Sequence, residues 1–227
     1  MKTETVILDP VRPDVTLTSY ILPGCRPAML VLPGGGFYAL ASHEGDPFAI
    51  RFMAEGFNAF VLNYSIGKPK SFFPRPLTDV SAAIVHIREN AEKYCIDPDK
   101  LFVIGSSAGG YLAGAIGAMW HCDFAKSSPD MEYGANHPNG VILTYGVVST
   151  REDIRCFCFD NLVTEEYGEE EVSLERYVDE KSAPAFIWHS FPDECVDPRN
   201  ALVLAEAYVR AKVPCELHLY PDGQHGI

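Results

Sequence analysis

The sequence predicts an α/β fold with a mostly parallel central sheet and helices on both faces, in one domain over residues 1–227. Three observations predict it. Short apolar runs of strand type alternate with helical runs along most of the chain, the pattern of parallel strands joined by crossover helices. The chain of 227 residues is 47% apolar, enough to bury one substantial core. Two of the apolar runs also break abruptly at glycine clusters, where a strand gives way to a tight turn.

Taken in order, Thr5-Val6-Ile7-Leu8 and residues 15–22 are short and alternating, which predicts an antiparallel entry hairpin. Residues 28–32 predict a strand that breaks at Pro33-Gly34-Gly35-Gly36-Phe37, and Asn58–Asn63 predicts the next. Residues 80–94 read as an amphipathic helix headed by Asp79. A strand at 101–105 and a small-residue helix at 108–120 follow, then strands at 141–145 and 185–189. A helix at 199–212 and a strand at Cys215–Tyr220 complete the series, with no internal repeat or low-complexity tail.

The run Leu101-Phe102-Val103-Ile104-Gly105-Ser106-Ser107-Ala108-Gly109-Gly110 has the form strand, Gly-x-Ser-x-Gly turn, helix. A serine hydroxyl is a poor nucleophile at neutral pH. It must stand clear of its own backbone, reach a base and face donors for a developing oxyanion. Gly105 and Gly109 lack a Cβ and let strand and helix approach around Ser107, which makes Ser107 rather than Ser106 the candidate nucleophile. The glycine run 34–36 frees backbone N–H groups to converge on one point, so the amides of Gly35, Gly36 and Ala108 are the candidate oxyanion hole. A phosphate-cradling loop fits poorly, because no Gly-Lys-Ser/Thr follows and the spacing is not Gly-x-Gly-x-x-Gly.

An acid and a histidine are then expected in loops after later strands. The loop Ser190-Phe191-Pro192-Asp193-Glu194-Cys195-Val196-Asp197-Pro198 offers three carboxylates. Asp193 is placed to be the acid. Asp197 precedes Pro198 at the head of a helix and reads as its N-cap, and Glu194 remains an alternative. Among seven histidines, His225 alone sits in a loop after the final strand; His43, His86, His121, His137, His189 and His218 read as surface or packing residues.

With these residues in place the chain resembles the α/β-hydrolases of the esterase/lipase superfamily, and within it is similar to the acetyl esterase and acetylxylan esterase group. The resemblance is carried by Leu32-Pro33-Gly34-Gly35-Gly36-Phe37, Leu62-Asn63-Tyr64, Pro76-Leu77-Thr78-Asp79, Gly105-Ser106-Ser107-Ala108-Gly109-Gly110, Phe186-Ile187-Trp188-His189 and Pro221-Asp222-Gly223-Gln224-His225-Gly226. It implies an α/β-hydrolase fold with a short cap insertion, and Ser107, Asp193 and His225 as a triad. It implies no metal and no organic cofactor. The implied substrate is a small-molecule ester with a short acyl group, acetyl on a carbohydrate such as a xylo-oligosaccharide. Pro33 stands where many relatives carry histidine, which leaves the hole intact because its donors are backbone amides.

A carboxylesterase or arylformamidase of the same fold would use the same machinery. A peptidase would need a recognition domain or large lid, and a silent binding protein typically lacks a triad member. The stretch 149–182, acidic and carrying Cys156-Phe157-Cys158-Phe159, lies where this fold inserts a cap; a solvated excursion is the alternative. The resemblance further implies a helix after His225, beyond which only Gly226 and Ile227 follow, so a partner, a homo-oligomer included, is another way to cover that sheet face.

The net charge of −13 disfavours nucleic acid and anionic membranes as partners. Seven cysteines without a Cys-x-x-Cys pair suggest a reducing compartment, and the Cys156/Cys158 spacing fits no common zinc site. Met1-Lys2-Thr3-Glu4-Thr5 is polar and no long apolar stretch follows, so neither a leader nor a membrane span is expected and the cytoplasm is the expected location.

Overall fold

The computed structural model describes residues 1–226. Its strands and helices run β1 (Lys2–Ile7), β2 (Thr16–Ile21), β3 (Arg26–Leu32), α1 (Asp46–Ala54), β4 (Asn58–Asn63), α2 (Arg75–Glu89), α3 (Ala91–Tyr94), β5 (Ile96–Ser106), α4 (Ala108–Met119), β6 (Gly140–Thr144), α5 (Glu169–Val172), β7 (Ala185–Ser190), α6 (Arg199–Ala211) and β8 (Cys215–Tyr220). The strands form one sheet in the order β1-β2-β4-β3-β5-β6-β7-β8. The entry hairpin is antiparallel, with Thr5 opposite Thr18, and β2 meets β4 antiparallel. Every later pairing is parallel, as the strand–helix alternation predicts.

β3 shows why such strands read as continuous apolar runs. Leu30 and Leu32 enter the large core beneath α2, α4 and α6, while Met29 and Val31 face the smaller core under α1. Both faces are dry, so both side-chain sets are apolar. Helices therefore cover both sides. Beyond α1 the second face is thinner, and Phe102, Ile142, Phe186 and Trp188 are only partly buried.

The helix expected at 80–94 begins earlier, at Arg75, because Pro76 in its first turn has no N–H to satisfy. Asp79 accordingly lies inside α2 rather than at its head. It is buried, accepts from the Ser65 N–H at 2.8 Å and pairs with Arg12 at 2.7 Å. The strand expected at 101–105 is that regular part of β5; a register break against β3 lets it start at Ile96. Helix 199–212 ends one residue short, with Lys212 in the left-handed conformation as C-cap.

The 149–182 stretch divides in two. Its first half packs: Cys156, Cys158, Phe159 and Leu162 join the core, and the Phe159 ring meets Tyr111 of α4 at 5.7 Å. In its acidic half the carboxylates Glu165, Glu166, Glu169, Glu170 and Glu171 are exposed, while Val172 and Leu174 anchor the segment in the same core.

Candidate active site

The site gathers at the carboxyl ends of β3, β5, β6, β7 and β8, the end of an open parallel sheet where ligands bind. Ser107 stands between β5 and α4 with φ +54 and ψ −117, a conformation side chains rarely adopt. The turn closes because its glycines are bare. A Cβ on Gly105 would collide with the Gly109 carbonyl, and one on Gly109 would collide with the carbonyl of Leu32.

From Ser107 a hydrogen-bonded line runs outward. Ser107 Oγ lies 2.9 Å from His225 Nε2, and His225 Nδ1 lies 2.7 Å from Asp193 Oδ2. The carboxylate faces Nδ1, which fixes the proton there and leaves Nε2 to accept from the serine hydroxyl. Asp193 is itself held by four donors. Oδ1 accepts from the N–H groups of Cys195 at 2.8 Å and Val196 at 2.9 Å, and Oδ2 also receives His189 Nε2 at 3.0 Å. Burial pushes the Asp193 carboxyl up, but the hydrogen bonds from His189, His225, Val196 and Cys195 outweigh it and hold the group well below the usual carboxylate range.

The other candidates fall away by position. Asp197 Oδ1 accepts from the Arg199 N–H at 2.9 Å at the start of α6, and its carboxylate pairs with the Arg199 guanidinium. Glu194 is exposed, and it is Asp193 rather than Glu194 that meets His225 Nδ1.

Gly35 and Gly36 lie beside Ser107 with φ +124 and +62. Among the described residues neither their N–H groups nor that of Ala108 meets an acceptor, so these three donors are free at the site. The loop bearing them is tied down on every side. Tyr64, from the Leu62-Asn63-Tyr64 motif, donates to Pro33 O at 2.6 Å, and Asn161 of the 149–182 stretch donates to Gly36 O at 3.0 Å. The Phe37 ring packs on Tyr111 at 5.8 Å.

A cavity of about 410 Å³ opens over Ser107 and His225. Cys156, Phe157 and Cys158 of the 149–182 stretch form one wall, Cys195 and Val196 another, and Tyr38 is an exposed lining residue. Cys156 and Cys158 are free thiols here, part of the pocket wall. Their mutual hydrogen bond draws Cys156 below and pushes Cys158 above the ordinary thiol value.

Two residues of the site escape sequence reasoning. His189 reads as a packing histidine, yet it is fully buried and its Nε2 bridges Asp193 and the Val196 carbonyl. Its place at the end of a strand, four residues before an acid, is the only signal, and it is a weak one. Glu44 is a buried carboxyl group in the cavity wall, hydrogen-bonded to Gly34 and Tyr145. Nothing in the local sequence marks it.

Strand order, serine turn and hydrogen-bonded line together define an α/β-hydrolase of the esterase/lipase group. The sequence profile of the BD-FAE family matches residues 22–208, and the chain belongs to that family. It is 36% identical over 207 residues to an endo-1,4-beta-xylanase B of Butyrivibrio fibrisolvens, covering 89% of this chain and 32% of that protein. An acetylxylan esterase of Xylanibacter ruminicola is 29% identical over 212 residues, covering 88% of this chain and 40% of that protein. The chain thus spans well under half the length of either relative. Among solved structures, an acetyl ester-xyloside bifunctional hydrolase from Caldicellulosiruptor lactoaceticus superposes with a TM-score of 0.84 at 31% identity, over 98% of this chain and 87% of that one. Among the described residues no helix is long and apolar enough to cross a membrane.

Proposed function

We propose that the chain is a serine carboxylic ester hydrolase that removes short acyl groups, acetyl above all, from carbohydrate esters such as acetylated xylo-oligosaccharides. The observation that carries this reading is a serine–histidine–aspartate line at 2.9 and 2.7 Å beside three unbonded N–H groups. Ser107 attacks the ester carbonyl as its proton passes to His225 Nε2. Asp193 keeps the imidazole in the required tautomer and stabilises the imidazolium. The oxyanion settles among the N–H groups of Gly35, Gly36 and Ala108, each worth about 3 kcal/mol of barrier. His225 then protonates the leaving alcohol, and water, deprotonated by the same imidazole, releases the acid from the acyl-enzyme.

The preference for a short acyl group rests on the relatives. Cys156, Phe157 and Cys158 line one side of the cavity of about 410 Å³ that acyl group and alcohol would share. An acetylxylan esterase and an acetyl ester-xyloside hydrolase among the similar proteins favour an acetylated sugar. The net charge of −13 disfavours acidic sugars and nucleic acid as partners. No cofactor or metal is needed for this chemistry, and the cytoplasm remains the expected location.

The test is a substrate panel of p-nitrophenyl acetate and butyrate with acetylated xylo-oligosaccharides, run on wild type beside Ser107→Ala and His225→Ala. The reading expects acetate over butyrate, release of acetate from the oligosaccharide, and activity reduced about 10³-fold or more in both variants. Hydrolysis that survives Ser107→Ala overturns it.

A further inference from the structure

Glu44 buries a carboxyl group, its side chain 4% exposed, within the cavity and outside the serine–histidine–aspartate line. Such a group is costly to bury unless each oxygen is satisfied. Here each oxygen has one hydrogen-bond partner, with the exposed His43 Nε2 a further 3.8 Å from Oε1, and the two hydrogen-bond partners belong to the two halves of the site. Oε2 accepts from the Gly34 N–H at 2.7 Å, on the loop that carries the free N–H groups. Oε1 accepts from the Tyr145 hydroxyl at 2.9 Å, at the end of β6.

Both contacts bear on catalytic geometry. The Gly34 carbonyl accepts from the Ala41 N–H at 2.9 Å, so this stretch of loop is gripped by residues 34, 41 and 44, and Gly35 and Gly36 follow it directly. A Cβ placed on Gly34 would lie 2.6 Å from Glu44 Oε2 and 2.9 Å from Ser107 Cβ, so the carboxyl packs close behind the nucleophile. Tyr145 has φ +40, a conformation unfavourable for an aromatic residue, and the turn presents its ring edge-on to the His225 imidazole with centroids 5.0 Å apart. Burial and the neighbouring Glu44 push the Tyr145 phenol well above its ordinary value, so it remains a donor to the carboxyl.

We propose that Glu44 is the positioning residue of this site: through Gly34 it aims the Gly35 and Gly36 N–H groups at the oxyanion, and through Tyr145 it holds the surface against which His225 rests. The proposal rests on the esterase reading above. It assigns Glu44 no contact with substrate, so its effect belongs in kcat rather than KM.

The test compares Glu44→Gln, Glu44→Ala and Tyr145→Phe with wild type on p-nitrophenyl acetate. Rates are expressed per active site, counted by complete reaction with a fluorophosphonate, so that misfolded protein drops out. Glutamine keeps both hydrogen bonds, its oxygen accepting from Gly34 and its N–H donating to Tyr145, and kcat stays within about fivefold of wild type. Alanine lowers kcat per titrated site about 100-fold, the scale of a misaimed oxyanion donor, with KM within about threefold. Tyr145→Phe removes one of the two contacts and lowers kcat about tenfold. Should the alanine variant not fold, the glutamine and phenylalanine variants decide. The proposal is overturned if Tyr145→Phe keeps wild-type kcat per site, if glutamine falls as far as alanine, or if the loss appears in KM alone. A wild type that neither hydrolyses the ester nor takes up the phosphonate overturns the esterase reading itself, a result distinct from all of these.

Discussion

Asp193 accepts from four donors, two of them histidines, and this sets how the site responds to single substitutions. Asp193→Asn puts an amide where Nδ1 of His225 needs an acceptor, and kcat on p-nitrophenyl acetate is expected to fall about 10⁴-fold while the fold persists. His189→Leu removes one donor from a buried carboxylate and should lower unfolding free energy in urea by about 1.5–3 kcal/mol. The depressed Asp193 also predicts a pH dependence with a definite sign. A carboxyl group held lower in the folded chain than in the unfolded chain stabilises the fold above its unfolded value, near 4, and that stability is lost as pH falls through the folded value. Urea midpoints measured downward from pH 5 should therefore drop more steeply in wild type than in Asp193→Asn. Equal slopes would show that Asp193 is not the group responsible.

At the scale of elements, the β5–α4 turn works because backbone approaches backbone. The missing Cβ of Gly109 leaves room for the Leu32 carbonyl, and no rotamer change relieves a clash between main chains. Gly109→Ala should cost at least about 3 kcal/mol in denaturant unfolding and abolish activity, whereas Gly168→Ala, which meets only the flexible Glu171 side chain at 3.2 Å, should do neither. This turn is also where the sequence was most legible. Ser107, Gly105 and Gly109 sit within five residues, and the strand and helix around them are plain in the apolar pattern. His225 and Asp193 were legible at one remove, as polar residues in loops after recognisable strands. Asp79 reads from the sequence as a helix-start or structural residue; the structure makes it the second, inside α2, because the amphipathic pattern becomes clear only after it and Pro76 is the better signal for the start. Glu44 and Tyr145 could not be found this way. Their hydrogen bond joins residues 101 apart in sequence, and neither lies in a motif whose spacing reveals the contact.

Across the whole molecule, the parallel sheet brings the ends of five strands together, so residues from 35 to 226 share one cavity. Leu30 is fully buried at the centre of the sheet, and Leu30→Ala should cost about 2–5 kcal/mol, measured by urea unfolding. The sheet, the entry hairpin and the helices α2, α4 and α6 follow from hydrophobic periodicity, whereas α1, which covers the second core with Ala49 and Met53, is not among the predicted elements. How residues 149–182 pack is not legible either, because composition cannot show that Phe159 meets Tyr111 or that Val172 and Leu174 enter the core beside exposed glutamates. The most direct measurement on the site is rapid-quench mass spectrometry of the wild type during turnover of p-nitrophenyl acetate. An acetyl group should accumulate on the peptide bearing Ser107 and be absent from His225→Ala; turnover with no acyl-enzyme at Ser107, or with one on another residue, would contradict the account.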